Sequence, residues 1–390
     1  MLKEKSLTLL LCCLATAGPL GALFYLPALP GMSLYFTAHR PISQMSLSVY
    51  LFSTGISALI YGLFACRYDK KLLIIISGAI FTLGSLYSAS APNITTLLFA
   101  RTIEGIGAGG MTSLALAIIY KKYKYKRLKT ILFYLTIAVS LTSMISPLLG
   151  ATLLQSLDWR AIFVALSVYT LALVLIVFVF MGGQTKYRQD TLPKIVSNYK
   201  ELFTNRHFMH YSLLGGIAFS GLFAYYIVSP YLFQIFLNYT PTHYSYFFFI
   251  TSSGFLLGGA TNKWLPISEF RRLASALFIL LLSSVILVLL AMLSYPTALV
   301  ILAPITLYFY AVGIIFPCCL HIATEPFNKS IANATTAMYS IQLVLCGITT
   351  MIVARLPQYN QISFSIFLVI LSVIIVLMRL LRDPDITPWQ

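Results

Sequence analysis

Long apolar segments alternate with short polar segments along the whole chain. A helix that crosses the roughly 30 Å hydrocarbon core of a bilayer needs about 20 apolar residues, and these segments have that length. They predict an all-α membrane protein with twelve spanning helices. The predicted spans are 6–29, 45–66, 72–90, 95–120, 131–155, 160–183, 210–236, 244–264, 273–294, 297–321, 334–355 and 362–380.

The longest polar stretch, residues 184–209, falls between the sixth and seventh predicted spans. It divides the chain into a six-helix half at 1–183 and a second six-helix half at 210–390, joined by a cytoplasmic linker. Equal numbers of spans on both sides of a linker are typical of transporters built from two repeats, which bind substrate centrally. We therefore expect a small-molecule substrate between the halves.

Composition agrees with a membrane location. Hydrophobic residues make up 59% of the 390 positions and charged residues only 9%, whereas a soluble protein of this size needs a polar exterior. The first apolar run is longer than the core of a signal peptide and has no cleavage motif, so we interpret it as a span. We expect a monomeric, multi-pass protein of a bacterial inner membrane, surrounded by the lipid bilayer.

The net charge of +16 is distributed unevenly. With the N-terminus inside, 22 of the 26 lysines and arginines lie on the inner side, while Arg40, Arg160 and Arg355 are outer and Arg101 is within a span. This asymmetry predicts that both termini are cytoplasmic. The basic segment 121–129 follows a span on the inner side, so anionic lipid explains it better than nucleic acid, which we do not expect as a partner.

The segment RTIEGIGAGG contains a literal G-x-G-x-x-G at Gly105, Gly107 and Gly110. A dinucleotide-binding fingerprint needs a preceding strand, a helix that opens at the glycines and an acid about 20 residues later, and this segment has none of these. Gly105, Gly109 and Ser113 instead recur at steps of four. That spacing predicts close packing against another membrane helix.

Only one of the ten acidic residues, Glu104, lies deep within a predicted span. At about 1.5 Å per residue it is ~14 Å from the outer end of its helix, where a charge is costly and usually functional. Arg101 precedes it by three residues and shares its helical face. Two interpretations stay open: Glu104 carries a coupling proton beside Arg101, or the two form a permanent ion pair that holds the bundle together.

Several short segments carry a family resemblance. They are YLPALP at 25–30, YGLFACRYDKK at 61–71, APNITTLLFARTIEGIGAG at 91–109, SPLLGATLL at 146–154 and DWRAIF at 158–163. Together they resemble the major facilitator superfamily, closest to its Bcr/CflA (bicyclomycin-resistance) group of drug:proton antiporters. The resemblance implies the fold of that superfamily, with two six-helix halves, and transport by alternating access.

The resemblance also implies roles for individual residues. Arg101 and Gly105 match the family's helix-four motif, and Pro147 and Gly150 match its antiporter motif in helix five. The signature loop between helices two and three, which gates transport, corresponds to Gly62, Arg67, Asp69, Lys70 and Lys71.

The chain departs from the family pattern at the positions of its acids. Cys66 replaces the acid of the signature loop, and Asp69 replaces its glycine. Leu23 stands where helix one of the group usually carries an acid, whereas Glu104 replaces a glutamine. We hypothesise that the membrane carboxyl has moved from helix one to helix four.

Candidate contacts with substrate are the tyrosines and one amide near the centres of spans, because drug sites are mostly apolar and aromatic with a few polar anchors. Adjacent residues on a helix point in different directions, so packing or lipid contact stays the alternative for each. The candidates are Tyr25, Tyr50, Tyr225, Tyr226, Tyr308, Tyr310 and Gln342.

Other chemistry is weakly indicated. His321 and Glu325 are four residues apart, but two ligands are too few for a metal, so we expect a structural role and no metal site. The chain has no Walker A or nucleophile motif, which argues against an ATP-driven pump or an enzyme. Protons are the expected coupling ion, with no other cofactor.

Three functions stay open at this point. The first is proton-coupled efflux of small lipophilic or amphipathic compounds. The second is dedicated export or import of one metabolite, such as a siderophore or an amino-acid derivative. The third is an uncoupled membrane protein that is not an antiporter, because the signature-loop acid and the helix-one acid are both missing.

Overall fold

The computed structural model describes residues 4–182, 192–264, 267–293, 297–356 and 361–381. Residues 184–191 of the predicted linker, and Arg382, lie outside this part. The α-helices are α1 (Glu4–Leu23), α2 (Leu29–Tyr35), α3 (Arg40–Phe64), α4 (Lys70–Ala89), α5 (Ile94–Lys122), α6 (Tyr125–Leu154), α7 (Arg160–Phe180), α8 (Leu192–Thr204), α9 (Arg206–Tyr231), α10 (Pro241–Trp264), α11 (Glu269–Leu293), α12 (Ala298–Thr324), α13 (Ile331–Ala354) and α14 (Ile362–Leu380).

Twelve of these helices coincide with the twelve predicted spans, which confirms the predicted all-α architecture. Within the described ranges, eleven stretches are long and apolar enough to cross a membrane. The helix at the eighth span, α10, is not among them, because serine, threonine and glycine lower its hydropathy. It nevertheless has 24 residues and packs along α6 and α12.

Prolines break two spans that the hydropathy pattern predicts as continuous. The first, predicted at 6–29, ends at Leu23, and a 3-10 turn at Leu26–Ala28 leads into the short helix α2. The seventh, α9, contains Pro230 and continues as a π-helical turn at Leu232–Phe236. Proline lacks a backbone N–H and clashes with the preceding turn, so the helix must tighten, widen or end there.

Glycine-rich α5 lies at the centre of the first half, where it packs along α3 and α4 and also contacts α1. In the second half α12 holds the corresponding place among α9, α10 and α11. Large apolar side chains such as Phe278 and Leu293 are exposed on the outer surface, as a lipid-facing surface requires. The fold therefore places α5 and α12 where a central site needs them.

Two pairs of helices carry the principal contacts between the first seven helices and the later ones. In the first pair, α3 packs along α13, and the Ser340 hydroxyl donates to the Gly55 carbonyl at 2.6 Å. In the second, α6 packs against α10, and the Ser245 hydroxyl donates to the Pro147 carbonyl at 3.0 Å. The exact domain division at 1–183, 184–209 and 210–390 stays a prediction.

The predicted linker contains the helix α8, which the sequence analysis did not anticipate. Its Tyr199 and Leu202 are buried, and α8 packs against α9 and α13. The Tyr199 hydroxyl lies close to Gly62 at the inner end of α3. Burial raises the pKa of Tyr199 above its ordinary value, so this phenol is neutral at physiological pH.

Candidate transport site

A buried ion pair joins Arg101 and Glu104 on α5. The Nη1 atom of Arg101 lies 2.8 Å from Oε2 of Glu104, and neither side chain has any exposed surface. The helix that holds them starts at Ile94, after the Asn93 side chain accepts the backbone N–H of Thr96 as a cap. The predicted contact between residues three apart is therefore confirmed, and the pair lies fully inside the bundle.

The Arg101 guanidinium connects three helices. Its Nη2 atom donates to the Gly21 carbonyl of α1 at 2.8 Å. Its Cζ atom lies 4.4 Å from the Tyr25 ring centroid and 4.2 Å from that of Tyr50 on α3. Cation–π contacts with two rings help to hold a charge that has no exposed surface.

Tyr25 and Tyr50, both predicted substrate contacts, are fully buried beside this charge in the present conformation. The Tyr50 hydroxyl donates to the Gly18 carbonyl at 2.8 Å, and the Tyr25 hydroxyl shares a 2.9 Å hydrogen bond with Ser46. Their role toward substrate stays a prediction.

The second carboxylate oxygen of Glu104, Oε1, has no hydrogen bond of standard geometry among the described residues. The hydroxyls of Ser85 and Ser88 on α4 lie beside this carboxyl group. Gly84 makes this approach possible, because a Cβ at that position would lie 2.5 Å from the Glu104 backbone nitrogen. The carboxylate thus contacts Arg101 on one side and a hydroxyl-bearing face of α4 on the other.

The glycines after the ion pair bring two neighbouring helices against α5. A Cβ on Gly105 would lie 2.5 Å from the Tyr50 carbonyl oxygen, and a Cβ on Gly109 would lie 2.8 Å from the Ala58 nitrogen, both on α3. Gly107 makes a similarly close approach to Phe81 on α4. The predicted close packing is confirmed and accounts for the literal G-x-G-x-x-G pattern.

The tyrosines of the second half lie mostly within packed side chains. Tyr225 and Tyr308 are fully buried, and the Tyr226 ring stacks on Phe248 at 4.7 Å. Tyr310 is half-buried, and its hydroxyl accepts a 3.1 Å hydrogen bond from Thr261.

Gln342 on α13 is also buried, with 2% of its surface exposed, and it faces Gly216 on α9. As for these tyrosines, its contact with substrate stays a prediction.

An aromatic cluster that the sequence analysis missed lies among α9, α10 and α12. Its members are Phe219, Phe255 and Phe316, whose ring centroids are 5.4–6.2 Å apart. Each ring is only half-buried. The sequence offers no signal for this cluster, because its members are three of 27 phenylalanines and come from three different helices.

On the outer side, three side chains donate hydrogen bonds to backbone carbonyls across the two parts of the chain, and we call this set the outer latch. Its bonds run from Gln44 Nε2 to the Ile227 oxygen at 2.9 Å, from Gln234 Nε2 to the Pro27 oxygen at 3.1 Å, and from the Tyr231 hydroxyl to the Leu29 oxygen at 3.4 Å. A separate bond on the same side, outside the outer latch, joins Gln155 to Thr242 at 3.1 Å.

The sequence profile of the Major Facilitator Superfamily matches residues 10–350. The chain belongs to the Major Facilitator Superfamily. It is therefore an integral multi-pass membrane protein and a secondary transporter, not an enzyme.

The chain is similar to several proteins of the same superfamily. It is 25% identical to multidrug resistance protein D of Escherichia coli (strain K12) over 385 residues, which cover 96% of this chain and 95% of that protein. It is 26% identical to the MFS-type transporter YdgK of Bacillus subtilis (strain 168) over 362 residues, covering 90% and 89% of the two chains. With multidrug resistance protein MdtL of Shewanella sp. (strain ANA-3), identity is 25% over 274 residues, covering 69% and 68%.

Solved structures share the fold at low sequence identity. A bacterial homologue of the human lysosomal transporter Spinster, in an inward-facing and occupied conformation, superposes with a TM-score of 0.76. Its identity is 14%, and the match covers 99% of this chain and 98% of that one. A D-xylose–proton symporter gives a TM-score of 0.73 at 13% identity, covering 95% and 97%.

In this facilitator the signature loop departs from the family pattern, and the structure shows what Asp69 does there. Its carboxylate accepts the backbone N–H of Lys71 at 2.9 Å and caps the start of α4. Lys71 in turn donates to the Phe178 carbonyl at the end of α7, at 2.8 Å. Asp69 thus fixes where α4 begins.

The other signature-loop residues differ in exposure. The Lys70 side chain is buried, whereas Arg67 is exposed. A Cβ on Gly62 would lie 2.8 Å from Cγ2 of Thr336 and 2.9 Å from the Tyr199 hydroxyl. This glycine therefore lets the linker helix and α13 approach the inner end of α3, and a role of the loop in gating stays a prediction.

The antiporter motif of helix five lies at the outer junction of the two halves. The Pro147 carbonyl accepts the Ser245 hydroxyl of α10, as described above. Gly150 packs directly against the Phe24 carbonyl at the end of α1, where no larger residue fits without moving backbone.

The four-residue spacing of His321 and Glu325 had made a pair between them conceivable, but in the structure His321 contacts a different acid. Its Nδ1 atom lies 2.9 Å from Oε2 of Glu269 on α11, and Arg272 contacts the same carboxylate at 3.5 Å. Glu325 is exposed. Tertiary packing places Glu269 of α11 beside His321, so the acid that contacts His321 comes from another helix and is not the residue four positions later in the sequence.

Proposed function

We propose that this facilitator exports small lipophilic or amphipathic compounds in exchange for protons, and that Glu104 carries the coupling proton. The observation that carries the proposal is the fully buried Arg101–Glu104 pair, which contacts α1, α3 and α4 at once. The chain matches a protein named as a multidrug resistance protein over most of that protein's length, and this similarity supports the choice of substrate class.

The ion pair is balanced only while Glu104 is ionised. A proton on Glu104 leaves the Arg101 charge without its counter-charge in a buried place, where loss of one partner typically costs about 3–5 kcal/mol. That cost favours a rearrangement of Arg101 and of the helices it holds. Proton binding can therefore select between conformations, as coupled transport requires.

Arg101 is linked to the outer latch through the end of α1. Its guanidinium binds the Gly21 carbonyl and contacts the Tyr25 ring. Two residues after Tyr25, the Pro27 carbonyl accepts the latch bond from Gln234. A shift of Arg101 would thus act on the segment that closes the outer side, while the two six-helix halves rock about their interface.

The aromatic cluster of Phe219, Phe255 and Phe316 offers the surface that a lipophilic substrate needs. Ligand sites are predominantly apolar and aromatic, and these rings keep part of their surface uncovered. We place substrate binding against this cluster, in the second half of the chain, and proton binding at Glu104 in the first half.

The test uses purified protein in vesicles with an imposed pH gradient and a panel of lipophilic cations, neutral drugs and polar metabolites. Glu104→Gln keeps a side-chain oxygen for Arg101 but cannot take up a proton. We expect substrate-driven proton movement to fall at least tenfold. The matched control is Glu201→Gln, which neutralises an exposed acid on α8 and should leave transport unchanged.

Proton movement at the wild-type level in Glu104→Gln would refute the coupling role of Glu104. Transport confined to one polar metabolite would replace multidrug efflux by dedicated transport. Substrate movement that ignores the pH gradient would show an uncoupled protein.

A further inference from the structure

Two buried serines on α4, Ser85 and Ser88, lie beside the Glu104 carboxyl group. Ser77, on the same helix, donates its hydroxyl to the Ile74 carbonyl at 3.1 Å, the usual bond to the preceding turn. Ser85 and Ser88 are equally buried, with no exposed surface, but face the Glu104 carboxylate instead.

Three buried polar atoms meet at this place without regular partners. Among the described residues, Ser85 Oγ, Ser88 Oγ and Glu104 Oε1 each lack a hydrogen bond of standard geometry. A buried polar group left without a hydrogen bond costs about 1–3 kcal/mol. Unsatisfied buried polar groups in a native protein need an explanation, and a functional role is one of those known.

The serines lead from Glu104 toward the outer surface. Residues 85 and 88 are three apart and share one face of α4, and α4 ends at Ala89, one residue after Ser88. The loop that follows is exposed at Ser90 and Asn93. Glu104 lies on α5, which runs inward from Ile94, and helical side chains tilt toward the helix N-terminus, so its carboxylate is inclined toward the outer side.

On its other side the carboxylate is covered. Oε2 binds Arg101, whose guanidinium contacts the rings of Tyr25, which follows α1, and of Tyr50 on α3. Phe163 from α7 covers the same guanidinium at 5.7 Å. In the described part of the chain, the charged and titratable groups that the packed helices place around Glu104 are thus Arg101, Tyr25 and Tyr50. Helix α4 contributes the Ser85 and Ser88 hydroxyls and the close approach at Gly84.

We propose that Ser88 and Ser85 form the route by which a proton from the outer solution reaches Glu104, separate from the aromatic cluster at which we place substrate. An outer hydronium gives its proton to the Ser88 hydroxyl oxygen, directly or through one water. Ser88 then passes its own hydroxyl proton to the Ser85 oxygen, and Ser85 passes its own hydroxyl proton to Oε1 of Glu104. The balance is one carboxylate and one hydronium converted to one carboxylic acid and one water. Rotation of both hydroxyls restores the starting arrangement. This route rests on the proposed coupling role of Glu104.

The experiment measures proton uptake with a pH-sensitive dye inside vesicles and substrate affinity by equilibrium binding. In the double variant Ser85→Ala/Ser88→Ala we expect substrate-driven proton movement to slow at least tenfold, with substrate affinity within twofold of wild type. Ser77→Ala is the matched control and should keep the wild-type rate. Ser85→Thr/Ser88→Thr retains both hydroxyls and should recover most of the rate.

Several results would overturn the route. A wild-type rate in the double alanine variant would do so, as would an equal loss in Ser77→Ala or a threonine variant that folds like wild type but stays as slow as the alanine variant. Glu104→Gln separates the two proposals. If it abolishes coupling while the double alanine variant keeps it, only the serine route is wrong, whereas intact coupling in Glu104→Gln removes both proposals.

Discussion

Replacing Gly109 by alanine is expected to force α3 and α5 apart. A Cβ there would lie 2.8 Å from the Ala58 nitrogen and closer still to the Thr54 carbonyl oxygen. Both are backbone atoms that cannot rotate away. Ordinary contact for a Cβ begins near 3.4 Å, so the two helices must separate by about 1 Å.

The expected magnitude follows from overpacking. Inserting one carbon into a closely packed interface costs typically about 1–3 kcal/mol, whereas alanine in place of glycine gains up to about 1 kcal/mol in helix propensity. Gly259→Ala is the matched control, because a Cβ at that position on α10 meets only the Gly313 oxygen, at 3.7 Å. The propensity gain is common to both variants, so their difference isolates the helix contact.

The assay is the thermal unfolding midpoint of the purified protein in one detergent. We expect Gly259→Ala at or above the wild-type midpoint and Gly109→Ala clearly below it. Equal midpoints for the two variants would show that α3 and α5 do not cross as closely as described, and the structural explanation of the glycine pattern would then be wrong.

Three further variants test the start of α4 and the outer latch. Asp69→Ala removes the cap of α4 and should lower the free energy of unfolding by roughly 0.5–2 kcal/mol, seen as a lower thermal midpoint. Asp69→Asn keeps a side-chain acceptor and should retain most of the wild-type stability. An equal loss in both variants would contradict the capping role. Gln234→Ala removes the hydrogen bond to the Pro27 carbonyl, which is worth about 1 kcal/mol or a fivefold change in the equilibrium between outward-closed and outward-open forms. The outward-open population, measured by spin-label distances across the outer helix ends, should therefore rise. Unchanged distance distributions would contradict the outer latch.

The helices could be predicted from sequence because membrane spans are set by length and hydropathy, which are local properties. The same reasoning failed where backbone chemistry overrides hydropathy. Pro27 and Pro230 lie within apolar runs, so the hydropathy pattern continues through them, whereas α1 ends at Leu23 before Pro27 and α9 changes to a π-helical turn just after Pro230. Proline positions were visible in the sequence, but the form of each interruption depends on which neighbours satisfy the freed backbone groups.

The candidate site could be predicted only in part, for a related reason. Contact between Arg101 and Glu104 follows from their spacing on one helix. The position of Ser85 and Ser88 beside Glu104 does not follow from spacing, because a single sequence contains no information on how α4 is aligned along α5. His321 illustrates the same limit, since its partner Glu269 is 52 residues away in the chain.

The acceptors of the outer latch are all main-chain carbonyls of Ile227, Pro27 and Leu29. Every residue type supplies such a carbonyl, so substitutions at the acceptor positions leave the bonds available. The strength of the outer latch is therefore set by its three donor side chains, and each adjusts it by a small step. Natural variation can therefore retune how often this transporter opens outward through single substitutions, without disturbing the buried Arg101–Glu104 pair.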